Sequence, residues 1–388
     1  MKVCAVVSEF NPFHNGHKYL LDNIRRQGFD AIVCVMSGNF VQRGEYAVCD
    51  KKIRAKMAVD SGADLVVSIP FPWSCASAEH FALGAVSVLK SLGVVDAIAF
   101  GSECGDIGYL QTCSEFLARL TPGKIRERQK NDPELSYAQV RQNIVREELG
   151  EEISMLLSSP NDILAIEYIK AIIRLDAGFD VVPIKRTFSS HSGSVVTDTV
   201  CSSSYIRELI CKGNLSKIGD YVPWDSELLY KNLISIDKSA LFNFIRGAVL
   251  SREPEDLSDF AENGGGLEFA IYREMLVAKD YDSLLESLGS RHLTEAKIRR
   301  AVLFASLGVK KDVFRELPEY TELLCCSDKG RTLLADCRKK STITVLSKTA
   351  NIKNASDTAK RQFKIQRKSE IAFDTLIKGY KDEQQGNM

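Results

Sequence analysis

The chain is 388 residues long, 45% apolar and formally neutral, with 51 Lys plus Arg against 51 Asp plus Glu. That length exceeds one average domain, so two or three domains are expected. Neutrality excludes a global field for nucleic acid, and any RNA site has to come from local clustering. Eleven cysteines are scattered without a Cys-x-x-Cys pair. This usage fits unpaired thiols in a reducing cytoplasm, not a disulfide frame or a zinc site. No apolar run reaches membrane length and the N-terminus does not read as a secretory leader, so a cytoplasmic protein is expected.

Val3 to Val7 is an apolar run of strand composition. It ends in Ser8-Glu9-Phe10-Asn11-Pro12-Phe13-His14, where Pro12 cannot continue a central strand and Asn15-Gly16 is a turn dipeptide. After Gly16 an amphipathic pattern begins, with Tyr19, Leu20, Leu21 and Ile24 set against Lys18, Asp22 and Arg25. A helix therefore starts there, and His14 and His17 sit at the hand-over from strand to helix. Free N–H groups and the positive dipole end suit that place to a polyphosphate.

The alternation continues with strands at 31–36, 65–69 and 95–100, helices at 51–61 and 76–92, and a last strand at 179–184. Continuous apolar strands separated by helices predict a doubly wound parallel α/β sheet. Its ligands would lie beyond the carboxyl ends of the strands, where the strand order reverses. Those ends are Ser8 to His17, Ser37 to Gly44, Pro70 to Ser77 and Gly101 to Glu103. The loop Ser37 to Glu45 reads equally as an anion lid or as an ordinary surface loop, and His80 reads as structural. Asn161 stands at a helix start, where it can cap, face a ligand or do both. Arg186 ends the last strand, and an arginine there suits bidentate phosphate contact. His191 in the following loop stays open between loop and site residue. Ser202 to Arg207 opens another helix, and Ser204 with Arg207 forms a second phosphate cradle.

His14-Asn15-Gly16-His17 matches the His-x-Gly-His signature of the nucleotidylyltransferase superfamily. With Ser8 to Phe13 ahead of it, the stretch resembles the opening of the bacterial tRNA(Met) cytidine acetate ligase family. The resemblance implies ATP as substrate, with Mg²⁺, and a catalytic pair His14 and His17. It implies an ATP site made of Val7, Ser8, Glu9, Phe10, Asn11, Pro12, Phe13, His14, Asn15, Gly16, His17, Lys18, Tyr19, Leu20, Gly101, Asn161 and Arg186. It further implies acetate and the anticodon loop of elongator methionine tRNA as partners, and acetylation of N4 of the wobble cytidine. Lys18, Arg186 and Arg207 are the candidate charge partners, and no residue set suggests a metal held by the protein.

Beyond about 220 the grammar changes to amphipathic helices at 228–250, 267–288 and 294–307. An all-helical domain over 221–378 is expected after a catalytic domain over 1–220, with a flexible tail at 379–388. Basic residues concentrate late, and Arg338, Lys339, Lys340, Lys360, Arg361 and Lys364 are the candidate RNA contacts. Two rivals stand beside the ligase: a small-molecule adenylyltransferase of the same superfamily and a non-catalytic RNA-binding or assembly factor.

Overall fold

The computed structural model describes residues 1–186, 199–224, 226–290 and 293–379, without the side chains of 226, 378 and 379. Strands β1 (Val3–Ser8), β2 (Ala31–Ser37), β3 (Leu65–Ile69) and β4 (Ala97–Ser102) alternate with helices α1 (Asn15–Arg26), α2 (Lys51–Asp60) and α3 (Ala78–Leu92). Helices α4 (Ile107–Arg119), α5 (Pro122–Asn131), α6 (Tyr137–Leu149), α7 (Glu151–Ser154) and α8 (Pro160–Leu175) lead to β5 (Asp180–Lys185) and α9 (Ser203–Cys211). The main sheet runs β5-β4-β1-β2-β3 with parallel pairings throughout. β4 follows β3 in sequence yet lies on the far side of β1, so the order reverses at β1 and opens a crevice beside its carboxyl end.

Alternation along β1 sorts its side chains onto two faces. Val3 and Ala5 join the core under α3, α4 and α8, whereas Cys4 and Val6 join the core under α1, α2 and α9. Burial on both faces is why these strands read as continuous apolar runs.

The region expected to be all-helical departs from that expectation. Helices α10 (Ser226–Lys231), α11 (Lys238–Leu250), α12 (Leu267–Val277), α13 (Tyr281–Leu288) and α14 (Glu295–Leu307) are present, but β6 (Ile234–Ile236) divides the stretch 228–250. Asp280 divides 267–288, because its carboxylate and Ser283 form a capping box that starts α13 afresh. The chain then returns to the sheet. β7 (Tyr320–Cys326) adds antiparallel to β3, and after α15 (Asp328–Lys340) β8 (Thr344–Leu346) extends the edge parallel to β7. β7 takes its partner some 250 residues upstream and β8 is only three residues long, so neither pairing leaves a local signature. The last helix, α16 (Asp357–Leu376), ends in β9 (Ile377–Gly379), which pairs with β6. Gly379, expected in the tail, is thus paired backbone; residues 380–388 lie outside the described residues.

A third core seats the helical layer on the loops at the carboxyl ends of β2 and β3. α11 to α14 pack with Phe373 of α16 and with Phe40 and Phe71, which stand on the loops leaving β2 and β3. Helix α16 is fastened to the same loops. Gln366 accepts from the Phe71 N–H (2.7 Å), and Lys51 of α2 donates to Glu322 of β7 (2.7 Å) and Glu370 of α16 (2.6 Å).

Candidate active site

The crevice at the carboxyl end of β1 is a cavity of about 220 Å³. Its wall carries Val7 to Asn11, Gly16, His17, Tyr19 and Leu20 from the first strand and helix, Gly101 from β4, Asn161 from α8, and Lys185 and Arg186 from β5. The elements therefore bring the expected first stretch together with Gly101, Asn161 and Arg186, which lie far apart in sequence.

The two histidines are held by the start of α1. His14 is its N-cap, and its Nδ1 accepts from the Gly16 N–H at 3.0 Å. The His14 N–H donates in turn to Nδ1 of His17 at 3.2 Å. Each Nδ1 is thus an acceptor, which puts the remaining ring proton of each neutral imidazole on Nε2. The rings stack with centroids 3.8 Å apart, and Phe10 meets His17 edge-on at 4.9 Å. A Cβ on Gly16 would stand 2.8 Å from Cε1 of His14, so glycine is required for the ring to fold back over the helix end. Burial, with Arg186 and Arg207 adding repulsion, holds the His14 pKa down at about 3. Burial, then His14 and Arg186, holds His17 well below the usual imidazole range. Two neutral N–H donors result.

Around them several polar groups have unused capacity. Among the described residues, the Ser8 Oγ and the Asn11 Nδ2 are buried without a hydrogen-bond partner. The Asn11 Oδ1 is used, accepting from the Val48 N–H at 2.8 Å. Glu9 accepts from the Gln42 N–H at 2.9 Å, and burial pushes its carboxyl upward. Buried polar groups are normally satisfied, so open ones converging on a cavity indicate a ligand.

On the opposite wall the turn after β4 is pinned by Asp162. Its carboxylate accepts from the Ser102 hydroxyl (2.5 Å) and from the N–H groups of Glu103 (3.0 Å) and Cys104 (3.1 Å). Glu103 in turn accepts from the Asn161 side-chain amide and lies 3.9 Å from the Arg186 guanidinium. Asn161 and Arg186 are thereby aimed as a pair. Gly101 leaves the strand end bare beneath Arg186, whose Cγ would lie 3.4 Å from any Cβ.

Other expected residues stand outside the cavity wall. Pro12, Phe13, His14 and Asn15 support it from behind, and the Asn15 amide ties α1 to the carbonyls of Thr199 and Asp220. Lys18 forms a half-exposed pair with Asp22 at 2.9 Å. Ser203, one residue before the expected Ser204, lines the cavity. Arg207 donates to the Asn11 carbonyl at 3.0 Å and to the Ser204 hydroxyl at 3.2 Å, with Glu45 3.5 Å away. His80 stacks on Phe314 and does not line the cavity. His191 lies outside the described residues.

Sequence reasoning missed Val6, Phe81, Phe100, Leu164, Tyr168, Ile184 and Lys185 on the wall, whereas Gln42 belongs to the Ser37 to Glu45 loop that it left open between anion lid and surface loop. Leu164 and Tyr168 follow Asn161 at the spacing of one helix face, which was the available signal. Phe100 and Ile184 stand at strand ends, where their apolar character looked like core alone.

The candidate RNA residues are exposed on α15 and α16. Several are engaged: Arg338 with Ser347 (3.2 Å), Lys360 with Asp357 (3.2 Å) and Arg361 with Glu316 (2.8 Å). Lys364 has exposed helix neighbours in Arg367 and Lys368.

A parallel sheet reversing at β1, with two imidazoles on the first helix N-terminus, defines a nucleotidyltransferase. The HIGH Nucleotidyl Transferase family model matches residues 1–387. A tRNA(Met) cytidine acetate ligase of Acetivibrio thermocellus is 33% identical over 98% of this chain and 96% of its own. Another, from Clostridium perfringens, is 33% identical over 92% of each chain. The crystal structure of Thermotoga maritima TmcAL bound with alpha-thio ATP superposes with a TM-score of 0.86 at 28% identity, over 97% of this chain and 95% of that one. The apo form superposes at 0.89 with the same identity and coverage. Within the nucleotidyltransferases, the chain belongs to the tRNA(Met) cytidine acetate ligase family.

Proposed function

We propose that this protein is an ATP-dependent ligase that activates acetate as acetyl-adenylate and transfers the acetyl group to N4 of the wobble cytidine of elongator methionine tRNA. The observation that carries the reading is the pair of neutral imidazoles, each with its ring proton on Nε2, His17 on the cavity wall with Arg186 and His14 stacked behind it.

In the first step an acetate oxygen attacks the α-phosphorus of ATP and pyrophosphate leaves. Charge develops on the phosphate oxygens, and preorganised donors stabilise it without reorganising. His14 and His17 supply such donors; Arg186 and Arg207 supply positive charge. The paired Lys18 is a weaker charge partner than the sequence suggested. Mg²⁺ enters this reading as the counterion of the triphosphate. Among the described residues no cluster of three or more His, Cys, Asp or Glu is arranged to hold one on the protein.

In the second step N4 of the cytidine attacks the acyl carbon and AMP leaves. RNA loops present unstacked bases readily, which suits an anticodon position. The exposed basic stretch Arg338, Lys339, Lys340, Lys360, Arg361 and Lys364 is the proposed phosphate-backbone contact. We place the catalytic part at residues 1–220 and RNA binding within 221–378, with β7 and β8 shared with the catalytic sheet. No described helix is long and apolar enough to cross a membrane, and a cytoplasmic site of action follows from the tRNA substrate.

The test incubates the protein with ATP, radiolabelled acetate and unmodified elongator methionine tRNA. Label in cytidine, with AMP and pyrophosphate released, is the expected result. Label absent from RNA while another acceptor is adenylylated would support the small-molecule rival instead.

A further inference from the structure

The transfer step has an unmet chemical need. The N4 lone pair of cytidine is conjugated with the ring, so the amine is a poor nucleophile. Its attack on the acyl carbon creates a cationic nitrogen that must lose a proton. A base at the cavity wall, placed to take that proton as the bond forms, would speed the step over proton loss to water or to the departing phosphate.

The wall and the His14 ring behind it leave few groups for that work. Both histidines use Nδ1 as an acceptor and carry their proton on Nε2, which makes them donors. Lys185 and Arg186 are cations, and the buried Tyr168 hydroxyl holds its proton more tightly than usual. Asp162 has its lone pairs taken by Ser102, Glu103 and Cys104. Glu103 is not on the wall and is engaged by Asn161, the Asp162 N–H and Arg186.

Glu9 differs from all of these. It follows β1 directly, lines the cavity together with His17, and uses one carboxylate oxygen on the Gln42 N–H. Among the described residues no lysine or arginine lies within ion-pairing distance of it. Arg54 fixes its backbone by donating to the Glu9 carbonyl at 2.5 Å. Arg207 and Arg43 act on it from longer range, against Glu45. An unneutralised carboxylate is a poor companion for a triphosphate, and its placement beside one needs a reason.

We propose that Glu9 is the general base of the acetyl-transfer step, accepting the proton of cytidine N4 as the carbon–nitrogen bond forms. The N4 electron pair makes the new bond to the acyl carbon. The bond from that carbon to the adenylate oxygen breaks, and AMP departs with its electron pair while the N4 proton passes to the Glu9 carboxylate. Burial raises the affinity of the carboxylate for that proton, in the direction a base near neutrality needs. The proposal rests on the acetate ligase reading above.

The test compares wild type with Glu9→Gln, which keeps an acceptor for the Gln42 N–H. Two half-reactions are read on one sample: acetate-dependent ATP–pyrophosphate exchange, and single-turnover acetylation of tRNA from synthetic acetyl-adenylate. Transfer is expected to fall on the order of 10²- to 10⁴-fold, and at least about tenfold more than exchange. Urea unfolding of the same samples is the folding control. Equal losses in both half-reactions would assign Glu9 to nucleotide or metal binding and overturn the proposal, as would an undiminished transfer. Wild type that exchanges but never acetylates cytidine would remove the acetate ligase reading itself, and the proposal with it.

Discussion

The mouth of β1 and the seat of α16 both bury polar groups, and they use them in opposite ways. Under α16, Lys51 spans Glu322 and Glu370, Gln362 serves the backbone of Leu317 and Glu319, and Gln366 serves Phe71 and Glu370. Each of those side chains has partners within the chain, and among the described residues the exception at this seat is the buried Tyr320 hydroxyl beside Phe363, which has none. At the mouth of β1 the Ser8 hydroxyl and the Asn11 amide have no partner among the described residues, and each imidazole carries its ring proton on Nε2. Saturated polar burial holds one part of a chain on another; unsaturated polar burial waits for a ligand. The difference follows from the cost of an unmet polar group, which only binding can remove.

The comparison can be broken most forcefully at the saturated end. Among the described residues, Lys51→Met leaves the buried Glu322 carboxylate without a cation and Glu370 with Arg367 alone, and a loss of about 3–5 kcal/mol is expected in urea unfolding. Replacing Glu322 and Glu370 by Gln in the same protein should recover part of that loss, because the stranded charges are then gone.

At the unsaturated end the expected effect is on rate. His17→Ala should slow acetate-dependent ATP–pyrophosphate exchange on the order of 10²- to 10³-fold while stability changes far less. Full-rate exchange would contradict the donor role.

The third effect is smaller and follows pH. The unfolded His14 takes a proton at the ordinary value near 6.5, whereas the folded one resists it down to about 3. The unfolded state thus binds more protons between those values, and stability falls as pH drops through that window. About 1–2 kcal/mol should be lost between pH 7.5 and pH 5 from this group. His14→Asn, which can still cap α1, should remove that share of the pH dependence in paired unfolding curves.

The smallest effect sharpens the boundary between the regions. Lys364→Ala on the exposed face of α16 should lower the salt slope of tRNA binding by about one, with exchange untouched. An unchanged slope would move the RNA surface elsewhere.

How much of this was legible in the sequence divides along the same line. The strand, turn and helix around His14 and His17 are local, so Val3 to Ile24 could be read directly. Asn161 and Arg186 were legible as a helix start and a strand end, and the resemblance supplied their meeting. What was not legible depends on distance. β7 joins β3 across some 250 residues, and the Lys51–Glu322–Glu370 cluster joins three elements whose charges look solvated one by one. The fate of Lys18, by contrast, was readable, since Asp22 stands one turn along the same helix.

A crystal grown with a non-hydrolysable ATP analogue tests the central claim most directly. A neutral imidazole pair that stabilises α-phosphate chemistry requires an Nε2 of His14 or His17 at about 2.7–3.2 Å from an α-phosphate oxygen. An α-phosphate seated beyond about 5 Å from both rings, out of hydrogen-bond range, would contradict it.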